Sequence, residues 1–176
     1  MKINMQTGRS MIEMLGVLAI IGILTVGGFG LVTKANMQRK VAAVVEEIGD
    51  LAQKVRIVAR DYTGDTGDMT SYVYNGKAYP DTLEYSSTSF SGTEDTTYTV
   101  SYTKQSSTNS FTFTIQANNL TTEMCMEVLT TNWGSPSTSG FISIAMAGES
   151  ALTLPVDIGT ASDKCGDSNS VQLTFR

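Results

Sequence analysis

Residues 11–32 read MIEMLGVLAIIGILTVGGFGLV, a run of 22 residues in which Glu13 is the single charge. At 1.5 Å per residue a helix of this length covers about 33 Å, the thickness of a bilayer core. A secretory h-region is shorter and ends in a small-residue cleavage site. Here the run passes instead into a second helical pattern. Between Lys34 and Arg60 apolar residues recur at Val41, Val44, Val45, Ile48, Leu51, Ala52, Val55, Val58 and Ala59, one stripe at 3-4 spacing. Arg39, Lys40, Glu46, Glu47, Asp50, Lys54 and Arg56 fill the intervening positions. No proline interrupts Met1 to Ala59. One continuous helix of roughly fifty residues, about 75 Å long, is therefore expected. Its first half is apolar all round and needs lipid or other helices. Its second half is amphipathic and needs a domain to lie on it.

Gly27, Gly28 and Gly30, with Gly16 and Gly22 upstream, weaken that helix. Each costs about 1 kcal/mol relative to alanine in a helix interior. Two readings stand. They are ordinary small residues of a membrane span, or they form a section that unwinds or packs tightly when subunits leave the bilayer.

From Asp61 the composition shifts to Thr, Ser, Gly, Asp and Tyr. DYTGDTGDMT (Asp61 to Thr70) reads as a loop. SYVYNGKAY (Ser71 to Tyr79) reads as a hairpin turning at Asn75-Gly76. TTYTVSYT and SFTFTIQ alternate, with Lys104 to Asn109 able to join them as a second hairpin. LTTEMCMEVLTT reads as a short helix capped by Thr121 or Thr122, its inner face Met124, Cys125, Val128 and Leu129. FISIAMA and the final VQLTF read as strands. The fold class is α+β. A long N-terminal helix packs against an antiparallel β-sheet head with one short helix and a C-terminal disulfide.

Charge is partitioned. Residues 9–60 hold seven basic and four acidic side chains, and residues 61–176 hold four basic and thirteen acidic. An acidic head disfavours nucleic acid as a partner. The 176 residues contain no histidine, which removes the commonest general base and every His-ligated metal site. No phosphate loop is present, so the chain does not power assembly itself. No catalytic residue, cofactor or metal ligand is expected, and no enzyme activity. Asp61, Asp65 and Asp68 lack the spacing of a calcium loop and fit a turn better; Asp157, Asp163 and Asp167 are no stronger. Cys125 and Cys165 are the two cysteines, both in the head. In an exported domain they are expected to pair; otherwise they are two separate buried thiols.

The remaining constellation lies at Gly8 to Leu15, G-R-S-M-I-E-M-L, directly before the apolar run. A carboxylate inside such a run costs about 2.5–3.5 kcal/mol on insertion scales and usually has a partner. Read alone, Glu13 either finds a positive mate or snorkels to the interface. In this motif and in the long helix that follows, roughly Gly8 to Arg60, the chain resembles the type IV pilins and pseudopilins. The short helix bearing Cys125 and the cysteine before a final strand, CGDSNSVQLTF, resemble the two-cysteine closure of pilin heads, type IVb in particular. Two departures stand out. Arg9 occupies a position that is usually apolar in the family, and glycine alone stands near Gly30, where the family often has proline.

The resemblance implies a leader, residues 1–8, removed by a prepilin peptidase between Gly8 and Arg9, with methylation of the new amine of Arg9. It implies Glu13 as the assembly glutamate, able to neutralise the terminus of the next subunit and so set the axial register. The remaining parts are a transmembrane and polymerisation half at 9–32, an amphipathic half at 33–60 and a β-rich globular head at 61–176. The expected partners are the peptidase, identical or homologous pilin subunits, and the inner-membrane assembly machinery. The expected location is the inner membrane, single pass with the head in the periplasm, then the extracellular pilus. The function implied is a structural subunit of a type IV pilus used for adhesion, motility or DNA uptake. The alternatives are a pseudopilin of a type II-like secretion system, which shares every N-terminal feature, and an anchored binding domain or enzyme that keeps its first eight residues.

Overall fold

A computed structural model describes residues 11–105 and 110–176, with side chains from residue 34 onward. Helix α1 runs from Met11 to Ala59 without interruption, 49 residues. Its backbone is helical through Gly27, Gly28 and Gly30. The chain divides into two units, Met1–Arg39 and Lys40–Arg176. Among the described residues no helix is long and apolar enough to cross a membrane. The span expected at 9–32 lies outside the residues whose side chains are described.

In the second unit α1 presents Val44, Ile48, Leu51, Ala52, Val55 and Ala59 to the core, all buried, while Val41, Val45 and Val58 pack at its edges. This is the stripe expected from the 3-4 spacing. It meets a seven-stranded antiparallel sheet. The strands are β1 (Gly67–Asp68), β2 (Glu84–Ser86), β3 (Ser89–Ser91), β4 (Thr97–Gln105), β5 (Ser110–Leu120), β6 (Phe141–Met146) and β7 (Asn169–Phe175). The spatial order is β2-β3-β4-β5-β7-β6, with β1 pairing β4. The final strand is thus inserted between β5 and β6.

Alternation explains the sheet face. Tyr98, Val100 and Tyr102 of β4, Phe113, Ile115 and Ala117 of β5, and Val171, Leu173 and Phe175 of β7 are all buried. They lie at period two, so one face of each strand enters the core. The β4–β5 pairing extends to Gln105↔Ser110, which bears out the second hairpin. Its connecting residues lie outside those described.

Two short helices flank the sheet besides α2 (Thr70–Asn75): α3 (Thr122–Thr130) and α4 (Ile158–Lys164). Helix α3 is capped by Thr121, whose side chain accepts from Met124 N at 3.3 Å, and buries Met124, Cys125, Val128 and Leu129. Both features match the sequence reading. Helix α4 was not expected. Asp157 caps it by accepting from Thr160 N at 3.1 Å and Thr160 Oγ1 at 2.7 Å. The Thr160 hydrogen bonds hold the exposed Asp157 carboxyl below the usual carboxylate range.

The hairpin expected at Ser71 to Tyr79 is corrected to the single helix α2. Asp68 Oδ1 accepts from Thr70 N at 2.9 Å and from Thr70 Oγ1 at 2.6 Å, which starts the turn. Gly76 N then closes it on Tyr72 O at 2.9 Å, so Asn75-Gly76 ends a helix rather than turning a ribbon. Thr70 and Val73 face inward. Tyr72 and Tyr74 face outward, where Tyr72 meets Tyr62 edge-on and Tyr74 stacks on Tyr85 at 3.9 Å between ring centroids.

Candidate functional site

Among the described residues no group of three or more acidic or sulfur-bearing side chains could hold a metal ion. Asp68, one of the weighed calcium candidates, accepts from Thr70 N and Thr70 Oγ1 in a local turn. What the fold builds is a mount: polar ties that fix the head to the amphipathic half of α1, and a covalent closure of its C-terminal part.

The central tie is Glu47, a carboxylate only 6% exposed. It accepts from Tyr98 OH at 2.7 Å, from Thr93 Oγ1 at 2.8 Å and from Thr93 N at 3.2 Å. Burying an unpaired carboxylate is costly, and three donors offset that cost. Burial and the Glu47 carboxylate push the Tyr98 phenol well above its ordinary value, so it remains a donor. The donors converge because Gly92 brings the turn up to α1. A Cβ at Gly92 would collide with Glu47 Oε2, Tyr98 and Leu83. The turn continues through Glu94 and Asp95, both with left-handed backbone at φ 54° and 58°. Lys40 of α1 pairs with Glu94 at 2.6 Å on its outer side.

Two further ties leave α1 beyond Glu47. Lys54 Nζ donates to Tyr79 O at 3.0 Å. Arg56 Nε donates to Arg176 O at 2.9 Å, and Arg56 Nη2 donates to Ser139 O. The guanidinium thereby joins the helix to the end of β7 and the start of β6. Partial burial, and then the charge of Arg60, lower the Arg56 pKa. Gly140, at φ +70°, makes room: a Cβ there would strike Arg56 Nη2 and Arg176 O.

Cys125 on α3 and Cys165 at the end of α4 form a disulfide with their Cα atoms 5.9 Å apart. The pair is joined as the sequence reading expected. Asn169, 3% exposed, locks the adjoining turn. Its Nδ2 donates to Leu120 O at 3.0 Å and Gly166 O at 2.8 Å, and its Oδ1 accepts from Gly166 N at 2.7 Å. The bridge and this amide hold α3, α4 and β7 in one arrangement.

Sequence reasoning named Cys125 and Cys165 but missed Glu47, Arg56 and Asn169 as ties. A signal existed for Glu47, which lies three residues after Val44 and four before Leu51, within the inward stripe. None existed for Arg56 or Asn169, whose partners are distant in sequence. Gly8 and Arg9 lie outside the described residues, and so does the side chain of Glu13.

An antiparallel head clamped to one flank of a long helix and closed by a disulfide near its C-terminal strand defines a class of helix-mounted β-head proteins. A family model described as PilS N terminal matches residues 38–176, and the chain belongs to that family, which is pilin-related and associated with the type IV pilus. Neither the curated proteins nor the solved structures contain a match.

Proposed function

We propose that this chain is a structural subunit that polymerises through its N-terminal helix into a type IV pilus. The carrying observation is the agreement of two separate parts of the chain. The family match covers residues 38–176, and the motif Gly8 to Glu13 precedes the apolar run at the start of the same sequence. Helix α1 joins these parts without a break from Met11 to Ala59.

In this reading a prepilin peptidase cuts between Gly8 and Arg9 and the new amine is methylated. Glu13 then meets the amine of a neighbouring subunit, because a carboxylate in an apolar environment needs a positive mate. Only one axial offset pairs both charges, so the ion pair sets the stagger. The polar ties at Glu47, Lys54 and Arg56 serve that role mechanically. A head fixed at several points along the helix follows the helix into the filament. The role is structural rather than enzymatic. The precursor sits in the inner membrane with its head in the periplasm, served by the assembly machinery, and the mature chain ends in the extracellular fibre. The Cys125–Cys165 bridge supports an exported head and weighs toward a pilin, of type IVb kind, over a secretion pseudopilin.

Glu13→Lys tests this function. Membrane insertion should persist while surface filaments disappear. Normal piliation in that variant would end the reading.

A further inference from the structure

Three of the chain's five arginines meet in one recess of about 290 Å³. Arg56, Arg60 and Arg176 line it together with Phe111, Ser137 and Thr138, and no acidic side chain is found among its described lining. Residues 61–176 carry thirteen acidic against four basic side chains, so this concentration of positive charge runs against the composition around it. Arg56 and Arg60 are one turn apart on α1, a like-charge pair that weakens a helix. The third arginine arrives from the end of β7. Arg176 N donates to Gly140 O at 2.8 Å, and Arg176 O accepts from Arg56 Nε at 2.9 Å, so its main chain is pinned from both sides. Arg56 spends Nε and Nη2 on main-chain oxygens, and a carboxylate at the end of the main chain would balance its charge. Among the described residues the ion pairs are Lys40–Glu94 and Lys164–Glu149, so the guanidinium groups of Arg60 and Arg176 belong to neither. The loop that carries the two hydroxyls is also fixed. Ser135 Oγ lies 3.0 Å from Ser137 Oγ and from Thr138 Oγ1, and Ser135 O accepts from the amides of Thr138, Ser139 and Gly140.

We propose that this recess binds an acidic saccharide, a sugar ring bearing one carboxylate or phosphate, with Arg60 and Arg176 as the cationic partners of the acid. A guanidinium presents paired donors that match the oxygens of either group. The acidic head around the recess repels an extended polyanion, which favours a ligand with a single acidic group. The neighbouring recess indicates what that group is attached to. It measures about 550 Å³, shares Arg56 and Thr138 with the first, and is lined further by Gln53, Asn132 and Trp133. Trp133 Nε1 donates to Val128 O at 2.9 Å, which fixes the indole. Asn132 Oδ1 accepts from Gly134 N at 3.0 Å, which leaves its amide nitrogen as a donor. A pyranose has an apolar C–H face and a rim of hydroxyls, and a fixed indole bordered by amides and hydroxyls matches both. The first recess alone is at the lower edge of the roughly 300–1,000 Å³ usual for ligand sites, and with its neighbour it falls inside that range. This binding role goes beyond the structural role proposed above and does not depend on it.

The test uses the full chain purified in detergent with its disulfide intact. Binding is followed by calorimetry and by the fluorescence of Trp133, the only tryptophan, which lines the adjoining recess. Sialyllactose and mannose 6-phosphate are titrated separately. Saturable binding of at least one is expected, and the one that binds identifies the acid. The neutral parents, lactose and mannose, should bind at least about tenfold more weakly. Arg60→Ala and Arg176→Ala should each weaken the acidic sugar about tenfold, whereas Lys77→Ala, which removes a positive charge elsewhere, should leave it unchanged. Absence of both heat and fluorescence change with either acidic sugar would overturn the proposal. Equal binding of the neutral parents, or full affinity in both arginine variants, would do the same. Inorganic phosphate, acetate or a tetraglutamate peptide binding as tightly as the sugar would reveal a plain anion site and overturn the saccharide assignment. Filaments built from a chain that binds no acidic sugar would refute this site and leave the pilus reading standing.

Discussion

The hydroxyl of Tyr98, on β4, donates to the buried carboxylate of Glu47, on α1, at 2.7 Å. That contact ties a central strand of the head to the helix that carries it. Tyr98→Phe removes the donor while keeping the ring. Thr93 alone then serves the carboxylate. A hydrogen bond to a charged group is worth about 1.5–3 kcal/mol, and a loss of that size is expected in urea unfolding of the purified chain. An unchanged midpoint would show that the tie contributes nothing net.

The same pair sets a response to alkali. The folded-state pKa of Tyr98 lies above its unfolded value near 10, so the folded state retains a proton that the unfolded state gives up. This contribution is fully present below about pH 10 and falls as pH rises beyond it, by about 1.4 kcal/mol per unit. Ultraviolet titration should find one tyrosine that ionises only as the head unfolds. Tyr98→Phe should remove that component from the alkaline slope.

At the ties between α1 and the head, Gly92 and Gly140 have no room for a side chain. Gly92→Ala places a methyl against Glu47 and Tyr98, and Gly140→Ala adds positive-φ strain to a collision with Arg56. Each is expected to cost about 1–3 kcal/mol, the range for overpacking. Gly148→Ala, at φ +83° with open space around it, should show backbone strain without the packing loss. Thermal melts of the three variants give the comparison, with Gly148→Ala the mildest.

Opening the disulfide should loosen α3, α4 and β7 together. The cysteines are 40 positions apart, and in the loop-entropy model such a bridge is worth about 4 kcal/mol. Reduction, or Cys125→Ser with Cys165→Ser, should lower the urea midpoint accordingly. Asn169→Ala should cost less, about 1–3 kcal/mol, because it strands polar groups at the same turn without freeing the chain. Equal losses would mean that the amide, rather than the bridge, holds this region.

The parts legible in the sequence were those governed by local periodicity. The inward stripe of α1, the alternating strands β4 and β5, the strand-favouring runs of β6 and β7, and the capped helix α3 all announce themselves over a few neighbouring residues. The segment around Asn75-Gly76 misled, because its turn signal and alternating Tyr and Val suit a hairpin. The turn that Asp68 makes with Thr70 and the outward tyrosine contacts favour α2 instead. Helix α4 was missed because it is short and buries only Ala161, so no periodic stripe marks it. The ties of Glu47 to Thr93, Arg56 to Arg176 and Asn169 to Leu120 join residues tens of positions apart. Nothing local to one partner reveals the other.

The most direct measurement is the mass of the mature protein purified from membranes or fibres. A chain beginning at Arg9, with or without a methyl on its amine, is the expected result. It would place a positive terminus four residues before Glu13. A chain that still begins at Met1 while fibres form would contradict the account.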